Sequence, residues 1–118
     1  MQFMIVISSD EKAAAKATVE QQKEMHVAYT TYTEDLKKAG VMLHGDGLLP
    51  SSKGARISYK EGRRVVIDGP FTEAKEVVGG YYIIDVKSRD EAIEWAAKCP
   101  GAKSGSGVEL REVMVFPG

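Results

Sequence analysis

Two hydrophobic periods alternate along this chain. Phe3-Met4-Ile5-Val6-Ile7 is an unbroken apolar run rich in β-branched residues, the pattern of a strand covered on both faces. Ser8-Ser9-Asp10 ends it, and the Ala/Lys-rich region 11–17 reads as an early helical turn or a loop. From Thr18 the period lengthens. Met25, Tyr29, Tyr32 and Leu36 recur at helical spacing, with Glu20, Lys23, Glu34, Lys37 and Lys38 on the polar faces. Thr18 and Gln21 match a capping box, in which each side chain satisfies a free backbone N–H at the helix start. Gly40 suits a left-handed helix end.

Strand patterning returns at Val41-Met42-Leu43 and loosens over His44-Gly45-Asp46-Gly47-Leu48-Leu49-Pro50. Residues 55–67 alternate on either side of Lys60-Glu61-Gly62-Arg63, which predicts a hairpin whose turn uses Gly62 at positive φ. Gly80 to Val86 is a further strand. Ser88 and Glu91 offer a second capping box, and Ala92, Ile93, Ala96 and Ala97 form a stripe small enough to approach a sheet closely. Trp95 falls off that stripe, and Cys99-Pro100-Gly101 breaks the helix. Residues 101–107 are expected to be a loop, and Val108 to Phe116 the last strand.

Without the hairpin, the order is βαββαβ, the ferredoxin-like α+β arrangement. Its two helices cover one face of the sheet. The other face should then be polar in a monomer, giving strict alternation. Here Met4 and Val6 oppose Phe3, Ile5 and Ile7. Tyr81 and Ile83 oppose Tyr82, Ile84 and Val86, and Met114 and Phe116 oppose Val113 and Val115. Apolar residues on both faces of three strands predict a homodimer with sheet facing sheet, since so large a bare patch is unusual on a monomer.

Composition narrows the picture further. A chain of 118 residues suits one domain, 1–118. Sixteen basic and 17 acidic residues leave a net charge of −1, which argues against a nucleic-acid partner. The single cysteine, Cys99, allows no internal disulfide and fits a cytoplasmic location. Phe3–Ile7 is too short for a membrane span. Only two histidines occur, so no metal or cofactor is expected.

Asp68-Gly69-Pro70-Phe71 has turn chemistry: an acid that bonds nearby N–H groups, a permissive Gly and a fixed Pro. That explains the four residues as a corner without any ligand. The same residues, with Glu73, Lys75-Glu76, Gly79-Gly80-Tyr81, Asp90-Glu91-Ala92, Trp95-Ala96-Ala97 and Cys99-Pro100, closely resemble the DGPF-motif branch of the YCII-related family. Leu48-Leu49-Pro50 and the strand 108–113 are similar too. The resemblance implies a dimeric α+β barrel and leaves the reaction open. In the wider family a helix histidine and a nearby aspartate have been suggested as an acid–base pair. Counting back from Gly40 puts Tyr29 at that helix position, with His26 almost one turn earlier.

The polar shortlist for catalysis is Asp68, Asp46, His44 and His26. His44 and Asp46, two apart on a strand, share a face and suit a base with its orienting acid. His26 and Tyr29 are neighbours on one helix. Asp68 and Glu73 flank the corner. Tyr29, Tyr81, Phe71 and Glu73 are the expected ligand contacts. The function expected is binding of a small organic molecule with proton transfer; the alternative is a non-catalytic regulatory dimer in a transcription-linked system.

Overall fold

The structure, a computed structural model, describes residues 1–104 and 107–117. Four strands form the main sheet: β1 (Gln2–Ser9), β2 (Met42–Gly47), β5 (Val77–Asp85) and β6 (Val108–Glu112). Their order is β2-β5-β1-β6, with every neighbouring pair antiparallel. Between β1 and β2 lie α1 (Glu11–Ala15) and α2 (Val19–Lys38); between β5 and β6 lie α3 (Arg89–Lys98) and α4 (Pro100–Lys103). The arrangement is ferredoxin-like, as the order of elements predicted.

The α2 start follows its sequence. Thr18 accepts from the Gln21 N–H at 3.1 Å, and the Gln21 side chain accepts from the Thr18 N–H at 2.9 Å. At α3 only half of the expected box forms. Ser88 accepts from the Glu91 N–H, but the Glu91 carboxylate takes the Lys87 N–H instead. The residues after Cys99, expected as loop, begin with the short α4: proline at a first helical position loses no hydrogen bond.

The core lies between the helices and one sheet face. Phe3, Ile5, Tyr82 and Ile84 meet Tyr32 and Leu36 of α2 and Ala92 and Ala96 of α3, all buried. On the open face Met4 sits opposite Ile83, and Val6 opposite Tyr81, all four half-buried. The last strand corrects the sequence reading. β6 stops at Glu112, because the Val113 N–H bonds the carbonyl of Gln2, the first residue of β1, and no strand continues alongside. Within β6 the pattern alternates, with Val108 and Leu110 toward the helices and Glu109 and Arg111 paired at 3.0 Å on the other side. Two strands, not three, therefore carry apolar residues on both faces.

β3 (Ala55–Lys60) and β4 (Arg63–Asp68) pair only with each other. Glu61 and Gly62 both take positive φ at their turn, which matches the twist of the two strands. This arm projects from the body. The radius of gyration is 16.3 Å, against about 13.5 Å for a compact chain of this length.

Candidate functional site

The corner that joins arm to body is a bonded pedestal. The Glu11 carboxylate accepts from the Ser51 N–H at 2.6 Å and from its hydroxyl, and Ser51 Oγ accepts from the Phe71 N–H at 3.2 Å. The Arg56 guanidinium lies 3.9 Å over the Phe71 ring and pairs with Glu73. Ser51 holds the Glu11 carboxyl below its ordinary value, through its side chain first and its N–H second, and hydrogen bonding to Arg56 lowers Glu73 likewise. Gly69 packs on the Ser51 carbonyl so closely that no Cβ fits there. Asp68 sits opposite Ala55 at the arm's base, exposed, while Glu73 turns to Arg56. Phe71 and Glu73, two expected ligand contacts, are thus occupied in holding the arm.

His44, Asp46 and Tyr81 do come together. The strand skips Leu43, so His44 faces Ile83 and Asp46 faces Tyr81 on the open side of the sheet. Tyr81 Oη is 2.6 Å from His44 Nδ1, and His44 Nε2 is 3.3 Å from Asp46 Oδ2. The Tyr81 hydroxyl and Nδ1 share a hydrogen bond whose direction follows the imidazole tautomer, and Nε2 faces the Asp46 carboxylate. These side chains lie on a surface, with His44 and Asp46 each more than half exposed.

The concave site lies on the other face. A cleft of about 1810 Å³ runs between α2 and the β2–β5–β1 end of the sheet. Tyr29, Tyr82, Ile7, Leu48, Gly80 and Gly101 line it, and so does His26. Of the two histidines, only this one borders the cleft. Asp46 touches it beside Gly80 while its carboxylate turns away to His44. The volume exceeds the roughly 300–1,000 Å³ of an enclosed small-molecule site, so the cleft is broad and open.

Its tyrosines are held neutral. Burial pushes the Tyr29 hydroxyl far above its ordinary value, with the neighbouring Cys99 adding to the rise. Burial also raises Tyr82, against a 2.6 Å hydrogen bond with Thr33. Tyr32 rises for the same main reason, and it donates to the Trp95 carbonyl at 2.8 Å. Cys99 is wholly buried and its thiol is pushed up by burial, so it is protonated and shielded. The cleft thus offers apolar walls and neutral phenols, and Glu24, Asp35, Lys98 and Lys103 also border it.

Sequence reasoning chose Tyr81 as a wall where the structure uses Tyr82. Alternation separated the two tyrosines but not which face each took; that depended on Tyr82 pairing with Ile5. The one available signal was Gly45 on β2, whose missing side chain leaves the space that the Tyr82 ring fills.

A family model for the YCII-related domain matches residues 1–117. This chain belongs to the YCII-related family. A relative in Rhizobium meliloti (strain 1021), an uncharacterised protein, is 28% identical over 117 residues, which cover 98% of this YCII-related chain and 94% of the relative. Among solved structures, 5-chloro-2-hydroxyhydroquinone dehydrochlorinase (TftG) from Burkholderia phenoliruptrix AC1100, in complex with 2,5-dihydroxybenzoquinone, superposes with a TM-score of 0.56 at 18% identity. The match covers 97% of this chain and 94% of that one, and it shows the shared fold.

Among the described residues no helix is long and apolar enough to cross a membrane, and no cluster of three metal-ligating side chains occurs.

Proposed function

We propose that this protein is a homodimer that binds a small hydroxylated ring compound in the α2–sheet cleft and exchanges a proton with it through His26. The cleft carries the reading: it brings a single imidazole onto the same helix side as the neutral hydroxyl of Tyr29, above an apolar floor. An imidazole titrates near neutral pH and suits a proton acceptor. Tyr29, held protonated, is a hydrogen-bond donor to a ligand oxygen. The fold shared with TftG, whose ligand is a dihydroxybenzoquinone, supports a planar oxygenated ligand.

Asp68, His44 and the Asp46 carboxylate lie outside this cleft and have no part in that proton transfer. Covering the open sheet face with a second copy removes Met4, Val6, Tyr81 and Ile83 from water, which favours association.

A panel of hydroxylated aromatics that includes 2,5-dihydroxybenzoquinone is expected to raise the melting temperature. Tyr29→Phe should weaken that shift, and His26→Gln should keep binding while losing proton exchange. A panel without any shift would remove the reading, and light scattering from a single 12.9 kDa particle would remove its dimer.

The second reading is a non-catalytic regulatory dimer serving a transcription system. The projecting arm favours it, because a rigidly mounted exposed hairpin suits contact with another chain. Recovery of a stoichiometric protein partner, with no ligand in the cleft, would support it over the first.

A further inference from the structure

A single ring does not fill the α2–sheet cleft. A cavity of about 150 Å³ takes one benzene ring, and the cleft holds about 1810 Å³. What borders the remaining space decides what else a ligand carries.

From Tyr29 the floor runs along β1 and β5 to the end of the sheet. Ile7 stands beside the Tyr29 hydroxyl, since a side chain at Gly101 would touch both. Ile7 pairs with Gly80, and at the next residue the Gly79 carbonyl accepts from the Leu48 N–H at 2.9 Å. There α1 closes the end. Ser8 and Ser9, which lead into α1, pair with Val78 and Val77, and Glu11 is bonded to Ser51, just past Leu48-Leu49-Pro50. One continuous surface thus leads from the tyrosine hydroxyl to α1 and the 48–50 segment.

This end is lined by apolar side chains that the chain itself leaves uncovered. Leu48, Leu49 and Val78 are 51%, 77% and 52% exposed. No residue of α1 is buried, and its Ala13 and Ala14 border the cleft too. The longer polar side chains there are already engaged. Asp10 accepts from the Lys12 and Ala13 N–H groups, Glu11 from Ser51, and Gln21 from the Thr18 N–H, while Gln22 donates to the Ala17 carbonyl. Glu24, Asp35, Lys98 and Lys103 belong to α2, α3 and α4 instead. A polar group entering this end would give up water for few new partners, whereas an apolar one gains by leaving water. A concave apolar extension continuous with a ring site fits a substituent on that ring.

We infer that the ligand of this cleft is a hydroxylated ring that bears an aliphatic chain, with the ring oxygens at Tyr29 and His26 and the chain between α1 and Leu48-Leu49. This rests on the small-molecule reading of the cleft and adds the ligand class.

The test is calorimetric titration of the full chain with 2,5-dihydroxybenzoquinone and with its propyl, pentyl and heptyl derivatives. Affinity is expected to rise about two- to fourfold for each added methylene that enters the cleft. Leu49→Asp and Ala14→Glu each put a carboxylate where the chain lies, and both positions are exposed. Each should cut the heptyl-to-parent affinity ratio at least tenfold. A parent ring that binds while the chain adds nothing would overturn the inference and leave the ring site standing. So would a gain that survives in both variants, which would put the chain elsewhere. If Leu49→Asp instead splits a wild-type dimer into single copies, a second copy covers this end and the inference falls. A series in which no member binds would remove the small-molecule reading itself.

Discussion

The Tyr82 ring occupies the space that a side chain at Gly45 would need. A Cβ there would stand 2.5 Å from Tyr82 Cδ1 and 3.0 Å from the Tyr81 carbonyl oxygen. Tyr82 in turn meets Tyr32 edge-on, with centroids 5.3 Å apart, and bonds Thr33 of α2. The glycine on β2 thus lets a β5 side chain tie the sheet to the helix that walls the cleft.

Gly45→Ala is therefore expected to displace Tyr82 and destabilise the fold by about 1–3 kcal/mol, the usual cost of overpacking. Urea unfolding reads this as a lower midpoint at unchanged slope. A midpoint equal to wild type would mean that Tyr82 can move aside freely.

Gly101 stands in the same relation to Tyr29. A Cβ at Gly101 would lie 2.8 Å from Tyr29 Oη and 3.2 Å from Ile7 Cγ2. Gly101→Ala should cost about 1–3 kcal/mol alone and less in a Tyr29→Phe background, where the nearest atom is gone. A double-mutant cycle by denaturant unfolding should give a coupling of at least about 0.5 kcal/mol. Strict additivity would show that the hydroxyl is not held there.

Acid should loosen the arm's pedestal. Glu11 and Glu73 both titrate below their ordinary value in the folded chain. A lowered carboxylate contributes stability above its unfolded pKa and loses it as pH falls through the folded one. The window thus opens below about pH 4.3. Carboxyl NMR titration of Ser51→Ala should return Glu11 toward the ordinary value while Glu73 stays low. An unmoved Glu11 midpoint would contradict the Ser51 contact.

Much of the fold was legible because its signals are local. The Thr18–Gln21 cap, the Tyr29–Tyr32–Leu36 stripe and the Glu61–Gly62 turn all act within a few residues. The β6 boundary was not legible. Val113 to Phe116 has as good a strand pattern as Val108 to Glu112, and only the lack of a strand beyond Gln2 ends it. Of the expected site residues, the joining of His44, Asp46 and Tyr81 was half visible, since the two-residue spacing gave their side but not the tyrosine across from them.

From its residues alone, this chain sets the period of each element, the caps and turns between them, and an apolar excess that one pair of helices cannot cover. Backbone geometry and side-chain spacing suffice for that. Which tyrosine turns to the cleft and which face His44 takes were decided by strand pairing, because register joins residues tens of positions apart that no local pattern links; how the arm is mounted was decided by the bonds that Ser51 makes to Glu11 and Phe71.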